Sequence, residues 1–243
     1  MANKIKILVN GANGRMGKAT VASLQADPRF QVVAEGTRSD DLTKLIKTSS
    51  AQVVIDFTIA DHCYQNAKTI IAAGAHPVIG TTGFLPEQVK ELQAECKTKK
   101  LGGIIAPNFS LSVILLMRFA QQAAKYFPHA EVIELHHDKK RESPSGTAVK
   151  TAQLIAAARA NKKIDNIEIF KGARGASVDN VPVHSVRLPG LIAHEEVLFG
   201  SSGELLTLRT DVYNNSAYIP GILLACEKVI TLKELVYGLE DIL

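Results

Sequence analysis

Two adjacent histidines, His136 and His137, lie in a segment dense in groups that move protons and hold anions; Glu134 to Ala148 reads ELHHDKKRESPSGTA. Histidine titrates near neutrality, which suits it to exchange a proton with a reacting atom. Lys140, in the next turn of chain, adds a second acid and a partner for a carboxylate. Pro144-Ser145-Gly146-Thr147-Ala148 has the composition of an anion site: Ser145 and Thr147 carry hydroxyls, Gly146 exposes a backbone N–H, and a helix begins there. The segment follows a strand-like run, so the two histidines diverge. They are poorly placed to bind one metal together, and no third ligand is spaced for it. A division of labour fits better, with one ring toward a reacting carbon and the other toward a substrate carboxylate. The competing reading is a solvated charged loop followed by a routine Ser/Thr cap. Read as a pocket, the segment takes a small acid.

A second constellation lies near the start of the chain. KIKILVN is followed by GANGRMG, with glycines at Gly11, Gly14 and Gly17, and then by a helical pattern through Leu24. A strand, a glycine-rich turn and a helix N-terminus make a phosphate site, because the turn lets the backbone approach closely and the helix end offers unpaired N–H groups. The spacing is GxxGxxG rather than GxGxxG, and a purely structural turn is the alternative. The run Gln31 to Glu35 reads as the next strand. An acid near its end would hold a ribose 2′-hydroxyl; here the end reads Gly36-Thr37-Arg38, which leaves room for a 2′-phosphate that Arg38 could pair with. Asp40 and Asp41 follow too late for the ribose role. This predicts tolerance of NADPH without excluding NADH.

Holding these two constellations requires a scaffold, and the chain spells one. Strand-like runs at Lys4 to Val9, Gln31 to Glu35, Val53 to Phe57, His76 to Thr82 and Gly103 to Asn108 alternate with helices, among them one with Asp61 as N-cap that runs to Ala73 and one from Pro86 to Lys99. That rhythm specifies a doubly wound parallel sheet. Ligands of such sheets bind at the C-terminal strand edges, where Asn10-Gly11, Thr58, Gly80-Thr81-Thr82 and Ala106-Pro107-Asn108-Phe109 fall. A long apolar helix capped by Ser110 follows, with Met117 and Phe119 expected in the core. Glu131 to Leu135 reads as the strand that delivers the histidines, and Thr147 to Asn161 as a helix. Beyond it the rhythm turns to strands, at Ile167 to Ala173, His184 to Leu188, Glu195 to Phe199 and Glu204 to Val212, the last two joined by a hairpin at Ser201-Ser202-Gly203. Ser216 to Ile230 and Leu232 to Leu239 read as helices that could pack back on the first domain. The fold class is therefore α/β plus α+β: a Rossmann-like doubly wound parallel sheet and a mixed or antiparallel sheet domain. One face of the second sheet needs covering, for which a homo-oligomer is the natural device.

Composition narrows the partners. Hydrophobic residues make up 46% and charged residues 21%, ordinary for a globular protein with a real core. The net charge of +4 is mild and its cations are dispersed, apart from Lys139-Lys140-Arg141, which argues against a nucleic-acid face. There is no tryptophan and aromatics are 5%, so recognition of small polar molecules is expected. Cys63, Cys96 and Cys226 lie far apart without ligand spacing and read as buried thiols. The N-terminal apolar run is too short for a signal-peptide core or a membrane span, and a cytoplasmic enzyme is the expected class.

The run ELHHDKKRESPSGTA closely resembles the signature of the 4-hydroxy-tetrahydrodipicolinate reductase (dihydrodipicolinate reductase) family, and GANGRMG, IDFT, GTTGF and APNFS resemble that family's cofactor-side motifs in the same order. The resemblance spans essentially the whole chain. It implies an NADPH- or NADH-dependent homotetrameric reductase of lysine and diaminopimelate biosynthesis, acting on a small dicarboxylate heterocycle. It further implies a nucleotide domain over residues 1–107 and 217–243 and a substrate and tetramerisation domain over 108–216. By resemblance, His136 corresponds to the proton donor/acceptor and Lys140 to a proton donor, while His137, Gly146 and Thr147 bind substrate carboxylates. Gly11, Ala12, Asn13, Gly14, Arg15, Met16, Arg38, Gly80, Thr81, Thr82, Ala106, Pro107, Asn108 and Phe109 contact the cofactor. Two positions depart from the pattern: Glu142 stands where Asp is usual, and Thr37 stands where some members carry an acid, which weakens the case for an NADH preference. The alternative is another Rossmann-fold oxidoreductase acting on a small amino or imino acid. A nicotinamide-binding sensor without turnover would have no use for the His-His-x-x-Lys arrangement.

Overall fold

A computed structural model describes residues 3–159, 167–240 and 242–243. The chain forms two compact units, Met1–Ser110 with Tyr218–Leu243, and Leu111–Ala217.

Largely apolar strands build the first unit. Its strands are β1 (Ile5–Asn10), β2 (Phe30–Gly36), β3 (Val53–Asp56), β4 (His76–Ile79) and β5 (Gly103–Ile105). Between them lie α1 (Arg15–Ala26), α2 (Leu42–Ser49), α3 (Ala60–Ala72) and α4 (Pro86–Lys99). With β11 (Leu235–Tyr237) at one edge, the sheet has order β11-β5-β4-β3-β1-β2, every pair parallel. Leu8, Val9, Val54 and Ile55 are fully buried, as expected where helices cover both faces of a parallel sheet. The three cysteines are free and buried, and burial pushes the Cys96 thiol up to about 12.

Several local expectations need correction. The N-cap of α3 is Ile59, with Asp61 in the first turn beside the positive helix end. β4 and β5 stop at Ile79 and Ile105, so Gly80 to Thr82 and Ala106 to Asn108 form the loops beyond them. The largest difference is at the C-terminal end of the unit. Leu232, Leu235 and Leu239 recur at helical spacing, yet Leu235–Tyr237 form strand β11, parallel to β5. Local periodicity loses there to the free edge of β5, whose backbone groups need partners. The preceding helix α7 spans Ile219–Val229, after a 3₁₀ turn at Asn215–Tyr218.

The second unit is a five-stranded sheet of order β10-β9-β6-β8-β7, from β6 (His129–His136), β7 (Ala176–Val178), β8 (Val181–Arg187), β9 (Ala193–Ser201) and β10 (Glu204–Val212). Among the described strands of this sheet, only the β6·β8 pair is parallel. Helices α5 (Leu111–Ala123) and α6 (Gly146–Ala158) pack on one face, against Ala130, Val132, Val183, Val197 and Phe199. The other face carries Ile133, Leu135 and Leu198, half-buried, and Leu205, which is 65% exposed. Met117 is in the core, whereas Phe119 is 51% exposed because it falls on the outer side of α5. Ile167 to Ala173 is not a strand. It is a run of bends and turns with Ile169 and Phe170 exposed, and Glu168 caps it by accepting from the backbone N–H groups of Gly172 and Arg174. The expected end of the helix at Asn161 lies outside the described residues.

Candidate active site

Strand alternation sets up the histidine site. On β6, Ala130, Val132, Glu134 and His136 share the face turned to α6, so a carboxylate and an imidazole follow two apolar residues into the helix-covered interior. Glu134 is fully buried, and its Oε2 lies 2.5 Å from His136 Nδ1. Arg187, at the end of the neighbouring strand β8, grips the same carboxylate with both terminal nitrogens, Nη1 at 2.8 Å and Nη2 at 2.7 Å. The Ser145 backbone N–H adds a further hydrogen bond of 3.1 Å. Burial opposes ionisation of Glu134, but hydrogen bonds from His136, Arg187 and Ser185 outweigh it and hold its pKa at about 2. Against an ionised carboxylate, Nδ1 of His136 must be the donor, which makes Nε2 the ring nitrogen available for proton exchange.

The loop that follows puts the remaining predicted residues in order. His137 is exposed just past the strand end. The Lys140 N–H donates to the His137 carbonyl, and Lys140 Nζ pairs with Glu142 Oε1 at 2.5 Å. The Glu142 backbone carbonyl accepts from Arg187 Nη2, so Glu142 ties the loop both to the lysine and to the buried network. Arg141 has no such tie among the described residues and is exposed. Gly146 and Thr147 open α6, whose first turn holds no acid. Ser145 does not offer its hydroxyl outward. It is the N-cap, 2% exposed, and accepts from the Ala148 N–H at 3.2 Å. Behind the turn, Thr151 Oγ1 lies 3.1 Å from the Thr147 carbonyl oxygen and 2.5 Å from Oε1 of the buried Glu195 on β9.

Sequence reasoning assigned no role to Glu134, Arg187, Glu195 or Thr151. A signal for Glu134 was present, since an acid interrupts the buried register of a strand that delivers histidines. Arg187 and Glu195 lie on strands far along the chain, and only the sheet register brings them to Glu134.

In the first unit, the nucleotide-side residues gather at the C-terminal strand ends. Gly11 follows β1 with φ of +84°, and a Cβ there would meet the Phe57 carbonyl oxygen at 2.8 Å. A Cβ at Gly17 would fall 2.2 Å from the Gly11 carbonyl oxygen, so helix α1 rests directly on the turn. Gly14 is the N-cap of α1 with no side-chain cap, and the first turn, which begins at Arg15 and Met16, contains no acid. Those N–H groups are therefore presented to an anion, and Ala12 beneath them is buried while Asn13 and Arg15 are exposed. This arrangement fits a dinucleotide pyrophosphate. Asp56, fully buried at the end of β3, accepts from the Thr58 N–H at 2.7 Å and its hydroxyl at 2.6 Å. Thr81 donates to the Thr58 carbonyl at 3.1 Å, which joins the ends of β3 and β4. Gly80 is close-packed against the Phe57 and Phe109 rings, and these two rings meet edge-to-face at 6.2 Å. Thr82 and Pro107 are exposed, Asn108 is half-buried, and Ala106 and Phe109 are buried.

At the end of β2, Asp40 is nearer than its place in the sequence suggests. The turn folds it back so that Oδ2 accepts from the Thr37 N–H at 2.7 Å and the Thr37 hydroxyl at 2.6 Å, which holds the Asp40 carboxyl below its ordinary range. Asp41 is instead the N-cap of α2, and Arg38, which precedes both acids, is exposed.

Comparison with known proteins identifies the family. The family model for the dihydrodipicolinate reductase N-terminus matches residues 5–109, and that for its C-terminus matches residues 112–243. A 4-hydroxy-tetrahydrodipicolinate reductase of Coxiella burnetii (strain RSA 493 / Nine Mile phase I) is 49% identical over 240 residues, covering 98% of this chain and 99% of the relative. The enzyme of the same name from Legionella pneumophila (strain Paris) is 48% identical over 242 residues, covering 99% and 100%. Among solved structures, the dipicolinate-bound dihydrodipicolinate reductase from Paenisporosarcina sp. TG-14 is 39% identical with a TM-score of 0.92, over 99% of this chain and 100% of that one. A dehydrogenase from Clostridium difficile, 14% identical with a TM-score of 0.66 over 99% and 96%, shares the fold alone.

Proposed function

Since the chain belongs to the dihydrodipicolinate reductase family, we propose that it reduces (2S,4S)-4-hydroxy-2,3,4,5-tetrahydrodipicolinate to tetrahydrodipicolinate, in the diaminopimelate and lysine pathway, with either NADPH or NADH. One hydride and one proton enter the ring, and one water leaves. The single observation that carries this reading is His136, oriented through Nδ1 by a buried, arginine-neutralised glutamate at the head of the Gly146-Thr147 turn.

The nicotinamide cofactor supplies the hydride. Gly11 to Met16 hold its pyrophosphate at the open end of α1, and Gly80 to Thr82 with Ala106 to Phe109 form further contacts at the neighbouring strand ends. Arg38 pairs with a 2′-phosphate when one is present. His136, as donor and acceptor at Nε2, and Lys140, as donor at Nζ, manage the proton. Glu142 pairs with Lys140 at 2.5 Å and holds its Nζ in the loop. His137 and the N–H groups of Gly146 and Thr147 grip the two carboxylates, and fixing both ends of a small ring orients its reacting carbon. The protein works in the cytoplasm as a homotetramer joined through the sheet face that carries Leu205.

The deciding experiment couples the purified protein to the synthase that makes the cyclic precursor and follows cofactor oxidation with NADH and NADPH in parallel. Turnover with both, and none with a panel of free amino acids and NAD(P)⁺, is the expected result. Arg38→Ala should raise KM for NADPH several-fold and leave KM for NADH unchanged. Oxidation of an amino acid in place of reduction of the cyclic precursor would overturn the reading. Light scattering at micromolar concentration reads the oligomer.

A further inference from the structure

One row of residues on the helix-facing side of the second sheet is polar where the next row is apolar. The register sets Glu134 opposite Ser185 on β8 and opposite Glu195 on β9, and Glu195 opposite Thr210 on β10. The row beneath is Val183, Val132, Val197 and Leu208. Two glutamates thus face each other across a strand pair, Glu134 at 0% exposure and Glu195 at 4%. Like charges in that position repel strongly when buried. Glu134 has Arg187 and His136 to match its charge. The described groups that act on Glu195 are the Thr151 hydroxyl of α6 and the charge of Glu134 itself.

The Thr151 hydroxyl favours one protonation state of Glu195 by counting. It has one hydrogen and two oxygen neighbours, the Thr147 carbonyl at 3.1 Å and Glu195 Oε1 at 2.5 Å. If Glu195 were a carboxylate, Thr151 would have to choose between two acceptors. With Glu195 as the neutral acid, both contacts are made at once: Glu195 donates to Thr151 Oγ1, and Thr151 donates to the Thr147 carbonyl. Burial, reinforced by the charge of Glu134, pushes the Glu195 carboxyl up to about 7, while a hydrogen bond donated by Thr151 to the ionised form opposes the rise.

We propose that Glu195 is a positioning residue that acts as a neutral acid, its proton locking Thr151 onto the Thr147 carbonyl and so fixing the first turn of α6 for the substrate carboxylate. This rests on the reading of Gly146-Thr147 as a carboxylate-binding turn. When Glu195 ionises, the lock opens and a second charge appears beside Glu134, so the grip on the dianion weakens as pH rises.

The test compares wild type with Glu195→Gln, whose amide donates to Thr151 without titrating, and with Glu195→Ala. Dipicolinate affinity is measured by calorimetry on the full chain with NADH present. The ratio of wild-type Kd to Glu195→Gln Kd should rise at least about 3-fold between pH 6 and pH 8.5, while Glu195→Ala binds weakly at every pH. In parallel, wild-type Tm minus Glu195→Gln Tm should fall over this range, because a carboxyl with a raised folded pKa loses its contribution as pH climbs through that value. A Kd ratio flat in pH, or equal weakening by Gln and Ala, overturns the role of Glu195. Failure of wild type to bind dipicolinate at any pH overturns the carboxylate reading of the turn instead.

Discussion

Replacing Glu134 with glutamine would keep the shape of the site and remove the charge that Arg187 and His136 share. The Nδ1 proton of His136 then loses its anchor, and kcat should fall roughly 10- to 100-fold with little change in dipicolinate affinity. Glu134→Ala is a different experiment, because it strands the Arg187 guanidinium, itself largely buried. Urea denaturation should show a loss of about 3–5 kcal/mol. Replacing the proposed proton carriers separates further: His136→Gln should lower kcat far more than it raises KM, whereas Lys140→Ala should damage both, since it removes an acid and a carboxylate partner together. Equal and small effects on kcat in the two variants would refute the assignment. The histidines and Lys140 stood out in the sequence because their chemistry is local to one loop. Arg187 and Glu195 did not, because what matters about them is which strand lies alongside which, and register is a property of the folded sheet.

Helices and strands followed the sequence where pattern and packing agreed. β10 and α4 have the boundaries that their composition predicts, since alternation in one and a Pro start in the other match their surroundings. Pattern failed where a neighbour imposed its own demand. The Ile169-Phe170 run is apolar enough for a strand, yet glycines with positive φ at Gly172 and Gly175 turn the chain before it can pair. Leu235 sits 2% exposed on the edge strand β11 instead of on a helix face. Leu235→Ala should therefore cost about 2–4 kcal/mol by urea unfolding and weaken NADH binding, because β11 supports β5, whose loop carries the proposed cofactor contacts Ala106 to Phe109. A helical role on the surface would give less than about 1 kcal/mol.

For the molecule as a whole, the two facing glutamates give stability a pH dependence of opposite signs. Glu134, depressed to about 2 when folded, contributes fully above the ordinary carboxylate pKa and loses that contribution as pH falls from about 4.5 toward 2. Glu195, raised to about 7, contributes most below about 4.5 and loses it as pH rises toward 7. Thermal melts of wild type should thus lose stability at both ends relative to a Glu134→Gln/Glu195→Gln double variant, whose profile should be flatter on both limbs. A wild-type profile parallel to that of the double variant would count against both assignments.

The position of β11 also dictates an order of assembly. The parallel sheet of the first unit lacks its outer strand until residues 235–237 have been made, after the whole of the second unit, Leu111–Ala217. On the ribosome, the second unit emerges as one continuous piece and can close its own core, while the parallel sheet waits with the edge of β5 open. A chain halted between the two events would carry a finished second unit and an unfinished first one, with an unpaired parallel edge as its most adhesive surface.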